Sequence, residues 1–156
     1  MAINPLASLV RTIGNALADR VIFPKGRRGE VVPSKGSGEF RVFRQVIIRN
    51  GGDSEESVIL RVRFKLARMS TQLNRLFSLL PIPFFIGLPG FRAKLWTVNA
   101  ETGENQGIYE WDSRDEAVTY ASGFVMRFMS RRSLPGSVSH QILPVAEAGL
   151  SEPSSV

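Results

Sequence analysis

The alternation of apolar and polar positions is clearest in the second half of the chain. After a Pro-Gly turn, residues 91–98 alternate with a period of two, which is the spacing of a β-strand. Residues 107–112 alternate in the same way and carry Tyr109 and Trp111 on one side. A polar segment rich in turn formers, 99–106, connects the two stretches. Two alternating stretches joined in this way predict a β-hairpin.

A strand and a helix are predicted ahead of this hairpin. Residues 58–66 alternate most regularly, with apolar side chains on one side and Arg61, Arg63 and Lys65 on the other. Apolar residues then recur at helical spacing over 67–80, until two prolines end the pattern. A strand followed directly by a helix is therefore expected here.

A second helix and a last strand are predicted after the hairpin. Ser113 and Glu116 have the S-x-x-E spacing of a capping box, and an apolar stripe at helical spacing follows them, ending in two arginines. Residues 138–142 then alternate as a strand. The final residues, 144–156, are polar and predict a flexible tail.

The order of these elements predicts the fold class. Residues 57–143 read strand, helix, strand, strand, helix, strand, which is the ferredoxin-like α+β plan. In this βαββαβ plan a four-stranded antiparallel sheet carries two helices on one face. The strands are expected to lie in the order fourth, first, third, second across the sheet. The first fifty residues then form an extension ahead of this domain.

The extension begins with an amphipathic helix. Asn4 and Pro5 suit the N-cap and the first helical position, and apolar residues recur at helical spacing over 4–22. Arg11 and Asp19 interrupt the stripe too early for a transmembrane span or a signal peptide. We expect the helix to dock on its own domain or on a partner subunit. A peripheral membrane contact is the alternative, which the few basic residues on its polar face make weaker.

The rest of the extension reads as a linker and a strand. Residues 24–38 are basic and rich in glycine and proline, which predicts a linker. Residues 40–48 are β-prone and are expected to pair with the strand at 58–66 as an extra edge strand. Residues 1–50 carry nine Lys/Arg against three Asp/Glu, so they hold the whole net charge of +6. No helix-turn-helix, RNP or zinc pattern accompanies this charge, so nucleic acid is not an expected partner.

Two further features of composition limit the chemistry. The chain has no cysteine, which excludes disulfides and thiolate chemistry and fits a cytoplasmic protein. It has one histidine, His140, so an all-histidine metal site within one chain is excluded. No metal and no cofactor are expected.

An apolar segment, 79–88, lies between the first predicted helix and the hairpin. Its sequence, LLPIPFFIGL, is too short and too rich in proline to span a membrane. Because loops are normally polar, this one must be covered by other atoms. The candidates, in order, are a subunit interface, the lid of a pocket and a membrane contact.

The hairpin and the helix after it carry a family resemblance. The run PGF-x-x-KLWT, a loop, GIYEW and a helix containing Ala and Tyr resemble the dimeric α/β-barrel superfamily, and especially its family of small mono-oxygenase-like proteins. The resemblance covers about 57–143. The matching positions are Pro89, Gly90, Phe91, Lys94, Trp96, Gly107, Ile108, Tyr109, Asp115, Ala117 and Tyr120.

The resemblance implies a homodimer. Uninterrupted alternation would place Phe91, Ala93 and Leu95 beneath the helices, with Tyr109, Trp111, His140 and the apolar side of 58–66. The opposite face would then carry the charges Arg61, Arg63, Lys94, Glu110 and Asp112. In the resembling family this second face meets its equivalent in another subunit and closes a barrel. We therefore expect a homodimer through these charged residues.

The resemblance also implies a pocket between sheet and helices. The expected substrate-binding residues are Trp111, Trp96, Phe77, Thr97, Phe84 and Phe85. His140 is the candidate base and Tyr109 the candidate donor, as in a cofactor-independent mono-oxygenase whose substrate is a hydrophobic small molecule. Each of these residues also has a structural explanation, since aromatic side chains on a buried strand are usually core residues.

Three functions therefore stay open from the sequence. The first is a mono-oxygenase-like enzyme acting on a small molecule. The second is a non-catalytic binder of a hydrophobic ligand in the same pocket. The third is an interaction protein that docks through its N-terminal helix and the apolar segment 79–88.

Overall fold

The computed structural model describes residues 4–17, 20–34, 36–49, 55–67, 72 and 82–145. Within these residues the chain forms one sheet of seven strands, with helices packed on one face. The helices are α1 (Pro5–Leu17), α2 (Ile82–Phe85), α3 (Arg114–Ala121) and α4 (Phe124–Arg132). The strands are β1 (Val21–Ile22), β2 (Val31–Ser34), β3 (Gly38–Ile48), β4 (Val58–Phe64), β5 (Phe91–Val98), β6 (Asn105–Trp111) and β7 (Ser139–Pro144).

The four strands of the ferredoxin-like plan are neighbours in the predicted order. They run β7-β4-β6-β5, and every adjacent pair is antiparallel. The predicted hairpin is β5 and β6, joined by the loop 99–104. In that loop the side-chain oxygen of Asn99 accepts hydrogen bonds from the backbone N–H groups of Glu101 and Thr102. The ferredoxin-like α+β fold is therefore confirmed, while the predicted helix at 67–80 falls almost wholly outside the described residues.

The N-terminal segment belongs to the same sheet. β3 pairs with β5, so the prediction that it would pair with the strand at 58–66 is wrong. The first helix ends at Leu17, short of the predicted position 22, because Val21 and Ile22 are β-branched and pair with the end of β3 as β1. The predicted linker 24–38 contains β2, which pairs with the beginning of β3.

A β-bulge near the start of β5 decides which side chains the helices cover. Phe91 lies opposite Trp111, but Ala93 lies opposite Glu110, so Arg92 is an extra residue in the strand. Because side chains alternate between the two faces of a strand, one extra residue reverses the assignment of all that follow. The faces predicted for β5 are therefore wrong from Ala93 onward.

The reversal exchanges two pairs of side chains. Lys94 lies opposite Tyr109 and Trp96 opposite Gly107, so both are on the face that the helices cover. Leu95 and Thr97 lie on the other face, where the uninterrupted pattern had placed Lys94 and Trp96. A lysine is thus buried under the helices, and Thr97 is excluded from that side of the sheet.

The second predicted helix is divided in two. Ser113 caps α3 as predicted, because its Oγ accepts from the backbone N–H of Glu116 at 3.4 Å and donates to the Glu116 carboxylate at 3.0 Å. The chain then leaves the helix at Ser122, and Gly123 adopts an extended conformation as the N-cap of α4. This break turns α4 away from the line of α3, and both helices contribute to the same core.

The covered face holds the larger of two apolar clusters. Its strands contribute Val46, Ile48, Leu60, Val62, Phe91, Trp96, Tyr109 and Trp111, and the residues packed over them are Ile82, Ile86, Leu88, Ala117, Tyr120, Val125, Met126 and Met129. The apolar segment 79–88 was predicted to be covered by other atoms. Of its described residues, the buried hydrophobic Ile82, Ile86 and Leu88 pack within this core.

The opposite face is partly filled by the chain itself. A second cluster buries Val32, Val42, Ile59, Leu95 and Ile108. Arg63 reaches from β4 to the β2–β3 hairpin, where it donates to the hydroxyls of Ser34 and Ser37 and lies 5.4 Å from the ring centroid of Phe40. Much of the face assigned to a dimer contact is therefore occupied by the chain's own β2 and β3.

The charged residues of that face are only partly where the sequence placed them. Arg61 and Glu110 lie on it, whereas Lys94 does not. Arg92 at the bulge donates to the carboxylate of Asp112 and lies 4.0 Å from that of Glu110. Both carboxylates thus have a cation within the same chain, and the homodimer stays a prediction.

Candidate functional site

A cleft of about 360 Å³ lies between α1, the turn at 87–89 and α3. This volume is at the lower end of the range found for small-molecule sites. The described lining residues come from four places in the chain: Asn4, Ala7, Ser8 and Arg11 from α1 and the residue before it, Gly87, Leu88 and Pro89 from the turn, Trp111 from the sheet, and Glu116, Thr119 and Tyr120 from α3. Most of this lining is apolar, with one cation and one carboxylate.

Helix α1 forms one wall of the cleft and is held by hydroxyl groups. Ser8 donates from its Oγ to the backbone carbonyl of Phe84, and Thr12 donates to that of Pro83. Gly87 lets the backbones approach closely, because a Cβ atom added there would lie 1.8 Å from the carbonyl oxygen of Ser8. This helix was expected to dock on its own domain or on a partner subunit, and within the described residues it contacts α2 and the turn after it.

Gly87→Ala should release α1 from the domain. The added methyl group meets backbone atoms, which cannot move aside as a flexible side chain would. We expect backbone amide exchange within α1 to accelerate by at least about tenfold, because the helix is left with few other contacts. Hydrogen–deuterium exchange read by mass spectrometry measures this directly.

Gly14→Ala is the matched control for this prediction. It lies on the same helix, and a Cβ atom there would meet no atom within 4 Å. The change should leave α1 docked and raise its helix stability by about 0.5–1 kcal/mol. Equal exchange in Gly87→Ala and in the unmodified protein would show that α1 is not packed as described.

Trp111 is the sheet residue of the cleft and leaves one polar group unsatisfied. Its side chain is almost fully buried, with ring centroids 5.5 Å from Phe91 and 5.1 Å from Tyr120. Its indole Nε1 is buried and has no hydrogen-bond partner among the described residues. Since an unpaired buried N–H costs free energy, an acceptor atom on a bound molecule would stabilise this group.

Two buried tyrosines lie beside Trp111. Tyr120 donates from its hydroxyl to that of Tyr109 over 3.1 Å. Burial raises the pKa of Tyr109, and burial together with the neighbouring Tyr109 raises the pKa of Tyr120. Both phenols are therefore neutral near pH 7, where they can donate a hydrogen bond but do not act as bases.

Lys94 is a buried amine behind this pair. Its Nζ lies 4.3 Å from the ring centroids of both Trp96 and Tyr109. Burial, with a smaller effect from Arg44, holds the pKa of Lys94 well below its usual range. A side chain at Gly107 would crowd this arrangement, since an added Cβ would lie 2.9 Å from the Tyr109 ring and 3.3 Å from Cε of Lys94.

The aromatic candidates from the sequence are divided between several places. Trp111 lines the cleft, and Tyr109 and Trp96 lie buried on the same face of the sheet. Phe84 is half-buried and makes an edge-on contact with Phe124, with 5.7 Å between centroids. Phe77 falls outside the described residues, and Phe85 is described only as the last residue of α2.

The two polar candidates lie away from the cleft. Thr97 is buried on the opposite face of the sheet and donates to the backbone carbonyl of Gln106 at 3.0 Å. His140 is exposed on β7, opposite Val62, so its predicted place among buried side chains is wrong. Among the described strands β7 pairs only with β4. His140 is the second residue of β7, so it lies near one end of the paired segment.

Sequence reasoning missed several residues that meet at the cleft. Ser8, Arg11 and Glu116 come together only because α1 packs on α2 and the turn after it, across the cleft from α3, which no local pattern reveals. Tyr120 was visible as a member of an apolar helical stripe. Lys94 was noticed but placed on the wrong face, since the bulge in β5 leaves no sign in the alternation.

Neither metal ligands nor a membrane-spanning helix are found in the described part of the chain. No three histidine, aspartate or glutamate side chains lie close enough there to hold a metal ion. None of its helices is long and apolar enough to cross a bilayer.

Comparison with solved structures finds proteins of similar fold. An uncharacterized ferredoxin-fold protein from Listeria monocytogenes, related to antibiotic biosynthesis monooxygenases, aligns with a TM-score of 0.53 at 12% identity, covering 83% of this chain and 85% of its own. A monooxygenase-like protein from Listeria innocua aligns with a TM-score of 0.52 at 12% identity, covering 78% and 82%. A heme-degrading enzyme from Listeria monocytogenes gives 0.49 at 12% identity, covering 78% and 95%.

No protein-family model and no curated protein matches the sequence. The structural likeness therefore stands without a match in sequence, and at this identity it shows the fold alone. The chain has the ferredoxin-like fold that is also found in monooxygenase-like proteins, as the resemblance in its hairpin had implied.

Proposed function

We propose that the protein binds a small, mainly apolar molecule in the α1 cleft and acts on it as a mono-oxygenase-like enzyme. The observation that carries the binding site is the indole N–H of Trp111, a buried donor that has no partner among the described residues, in a side chain that lines the cleft. The monooxygenase-like character of two proteins with this fold supports the reaction class. The substrate we favour is flat and aromatic, with an oxygen atom that accepts from Trp111.

The cleft supplies contacts suited to such a substrate. The rings of Trp111 and Tyr120 offer apolar surface, and Arg11 offers positive charge for a phenolate or carboxylate. Glu116 is the only carboxylate among the lining residues and is the group that can take a proton from the substrate. His140, the base expected from the sequence, is exposed and is not a lining residue.

The proposed reaction is cofactor-independent. A substrate with two removable hydrogens takes up one atom of molecular oxygen, and the other atom leaves as water with those hydrogens. The substrate is thereby oxidised by four electrons, two to each oxygen atom, so no other reductant is needed. The protein is required to bind the substrate, exclude water and stabilise its anion. The donor for that anion is the Trp111 N–H, while the neutral phenols of Tyr109 and Tyr120 keep the wall behind it uncharged.

The alternative is a non-catalytic binder with the same cleft. The specific observation in its favour is the position of the titratable groups. Lys94 and His140 do not line the cleft, and Glu116 already accepts a hydrogen bond from Ser113. A cleft that binds ligand without consuming oxygen would support this alternative.

Tryptophan fluorescence tests the proposal, because the chain has two tryptophans and only Trp111 lines the cleft. Titration with 1-naphthol, a flat phenol, should quench the Trp96→Phe variant, whose emission comes from Trp111 alone. In Trp111→Phe the quenching should be lost and the affinity should fall about fivefold, the loss expected for one hydrogen bond. An oxygen electrode then shows whether the bound phenol is oxidised.

The two variants separate the outcomes. Quenching in Trp96→Phe with oxygen uptake supports the enzyme, and quenching without uptake supports the binder. No quenching of Trp111, in a protein whose α1 exchange is unchanged, would show that the cleft is not the binding site.

A further inference from the structure

One side of α1 is apolar and faces away from the domain. Leu6, Val10 and Ile13 follow one another at helical spacing, and their side chains are 69%, 64% and 53% exposed. The docked side of the helix is the one that carries Ser8 and Thr12. We call the three exposed residues the α1 stripe. It is a continuous apolar surface of the kind that marks a contact with another partner.

Exposed cations lie next to the end of this helix. Only two residues separate Leu17 from Arg20, which limits the distance between their Cα atoms to about 11 Å. Arg20 is joined to Arg49 by a backbone hydrogen bond of 2.8 Å, so these two exposed arginines adjoin each other. Phe23 follows, with 49% of its side chain exposed.

More positive charge continues along the same segment. Lys25 and Arg28 are exposed in the turn after β1. Arg27, in the same turn, is neutralised by an ion pair with Glu30. We call Arg20, Lys25, Arg28 and Arg49 the basic rim.

We propose that the α1 stripe and the basic rim together form a docking surface for an anionic lipid bilayer. The helix lies in the plane of the interface, with Leu6, Val10 and Ile13 among the acyl chains. The basic rim contacts the phosphate groups of anionic lipids. The exposed Phe23 lies between the acyl chains and these phosphate groups. The helix itself carries few cations, but the segment that follows it supplies the positive charge for anionic lipids.

The positive charge beside the α1 stripe favours an anionic bilayer over the other partners that could cover it. A second copy of the chain seated on the stripe would bring two basic rims together, and like charges at short distance repel. A nucleic acid would use the rim and leave the stripe in water. An anionic bilayer satisfies both features at once. With 13 residues α1 is about 20 Å long, so the contact is peripheral and reversible.

Vesicle co-sedimentation of the full chain tests this proposal. Vesicles of phosphatidylcholine with about 30% phosphatidylglycerol should bind the protein, while pure phosphatidylcholine should bind it at least about tenfold more weakly. Raising the sodium chloride concentration from about 0.05 M to about 0.5 M should release most of the bound protein, because salt screens the rim.

Two sets of variants locate the surface. Leu6→Gln, Val10→Gln and Ile13→Gln combined should lower vesicle binding about tenfold while keeping the helix, since glutamine is a good helix former. Val118→Gln, an equally exposed apolar position on α3, should leave it unchanged. Arg20→Glu with Arg49→Glu should abolish binding, whereas Arg127→Glu with Arg131→Glu on α4 makes the same change in net charge and should retain most of it.

Several results would overturn the proposal. Binding that does not distinguish anionic from neutral vesicles excludes a role for the rim. Equal effects of the stripe variant and Val118→Gln exclude the stripe. A change of mass in light scattering by the stripe variant, with vesicle binding intact, assigns the stripe to a second copy. Rim-dependent binding to duplex DNA without binding to vesicles assigns the rim to nucleic acid.

Discussion

Trp111→Ala should lower the free energy of unfolding by about 3–5 kcal/mol, which is the range for removing a fully buried tryptophan. Trp111 is 1% exposed and packs against Phe91 and Tyr120, at the point where sheet, turn and α3 meet. Its removal leaves a cavity that the rigid strands β5 and β6 cannot close. Since the free energy of unfolding of a small domain is about 5–15 kcal/mol, this change would remove a large part of it.

Urea denaturation followed by circular dichroism measures this loss. Leu134→Ala serves as the control, because that side chain is 44% exposed and its truncation should cost less than about 0.5 kcal/mol. Trp111→Phe should fall between the two, since a phenylalanine keeps most of the contacts and the indole N–H has no protein partner to lose. A loss below about 1 kcal/mol for Trp111→Ala would contradict the packing described here.

The free energy of unfolding should rise with pH between the lowered pKa of Lys94 in the folded state and about pH 10. The cause is Lys94, whose pKa is lowered in the folded state by burial and by Arg44. Between that lowered pKa and the unfolded value of about 10.4, the unfolded chain binds more protons than the folded chain. Stability therefore rises with pH in this window, by up to about 1.4 kcal/mol per pH unit.

The two buried tyrosines set the upper end of this rise. Their pKa values are raised in the folded state, so above about pH 10 the folded chain holds protons that the unfolded chain has released. Stability then falls as the pH increases further. The profile should accordingly pass through a maximum just below pH 10.

Comparing Lys94→Met with the unmodified protein isolates the lysine. The variant should lose the rise below pH 10 and keep the decline above it, because Tyr109 and Tyr120 are still present. Lys25→Met, at an exposed position, should leave the whole profile unchanged. Chemical denaturation at a series of pH values gives the three curves. A rise of equal slope in Lys94→Met and in the unmodified protein would assign the effect to another group.

Local patterns in the sequence were sufficient for the four strands of the ferredoxin-like plan, for α1 and for the start of α3, but not for β1, β2 or the break between α3 and α4. The period of two at 58–64 and in both arms of the hairpin specified strands, and the N-cap at Asn4 and the capping box at Ser113 marked the starts of two helices. The βαββαβ order then limited the topology, so the arrangement β7-β4-β6-β5 followed. These features depend on neighbours in sequence, and the chain shows them directly.

The faces of β5 depend on a feature that leaves no such pattern. Both registers of the strand bury apolar residues, either Leu95 or Trp96, so alternation did not distinguish them. The bulge at Arg92 fits an ion pair with Asp112, the residue after the end of β6, which is a tertiary contact. It carries Lys94 beneath the helices and Thr97 to the opposite face, contrary to the prediction.

The cleft was likewise decided by contacts between distant parts of the chain. Ser8 and Phe84 are 76 residues apart, and the hydrogen bond between them closes one wall. The exposure of His140 follows from its place on an outer strand, which depends on how the strands pair. The sequence specified most of the helices and strands, because their hydrophobic periods and caps are local features. The tertiary structure decided which side chains share the cleft, because close packing selects among registers and dockings that the local pattern allows equally.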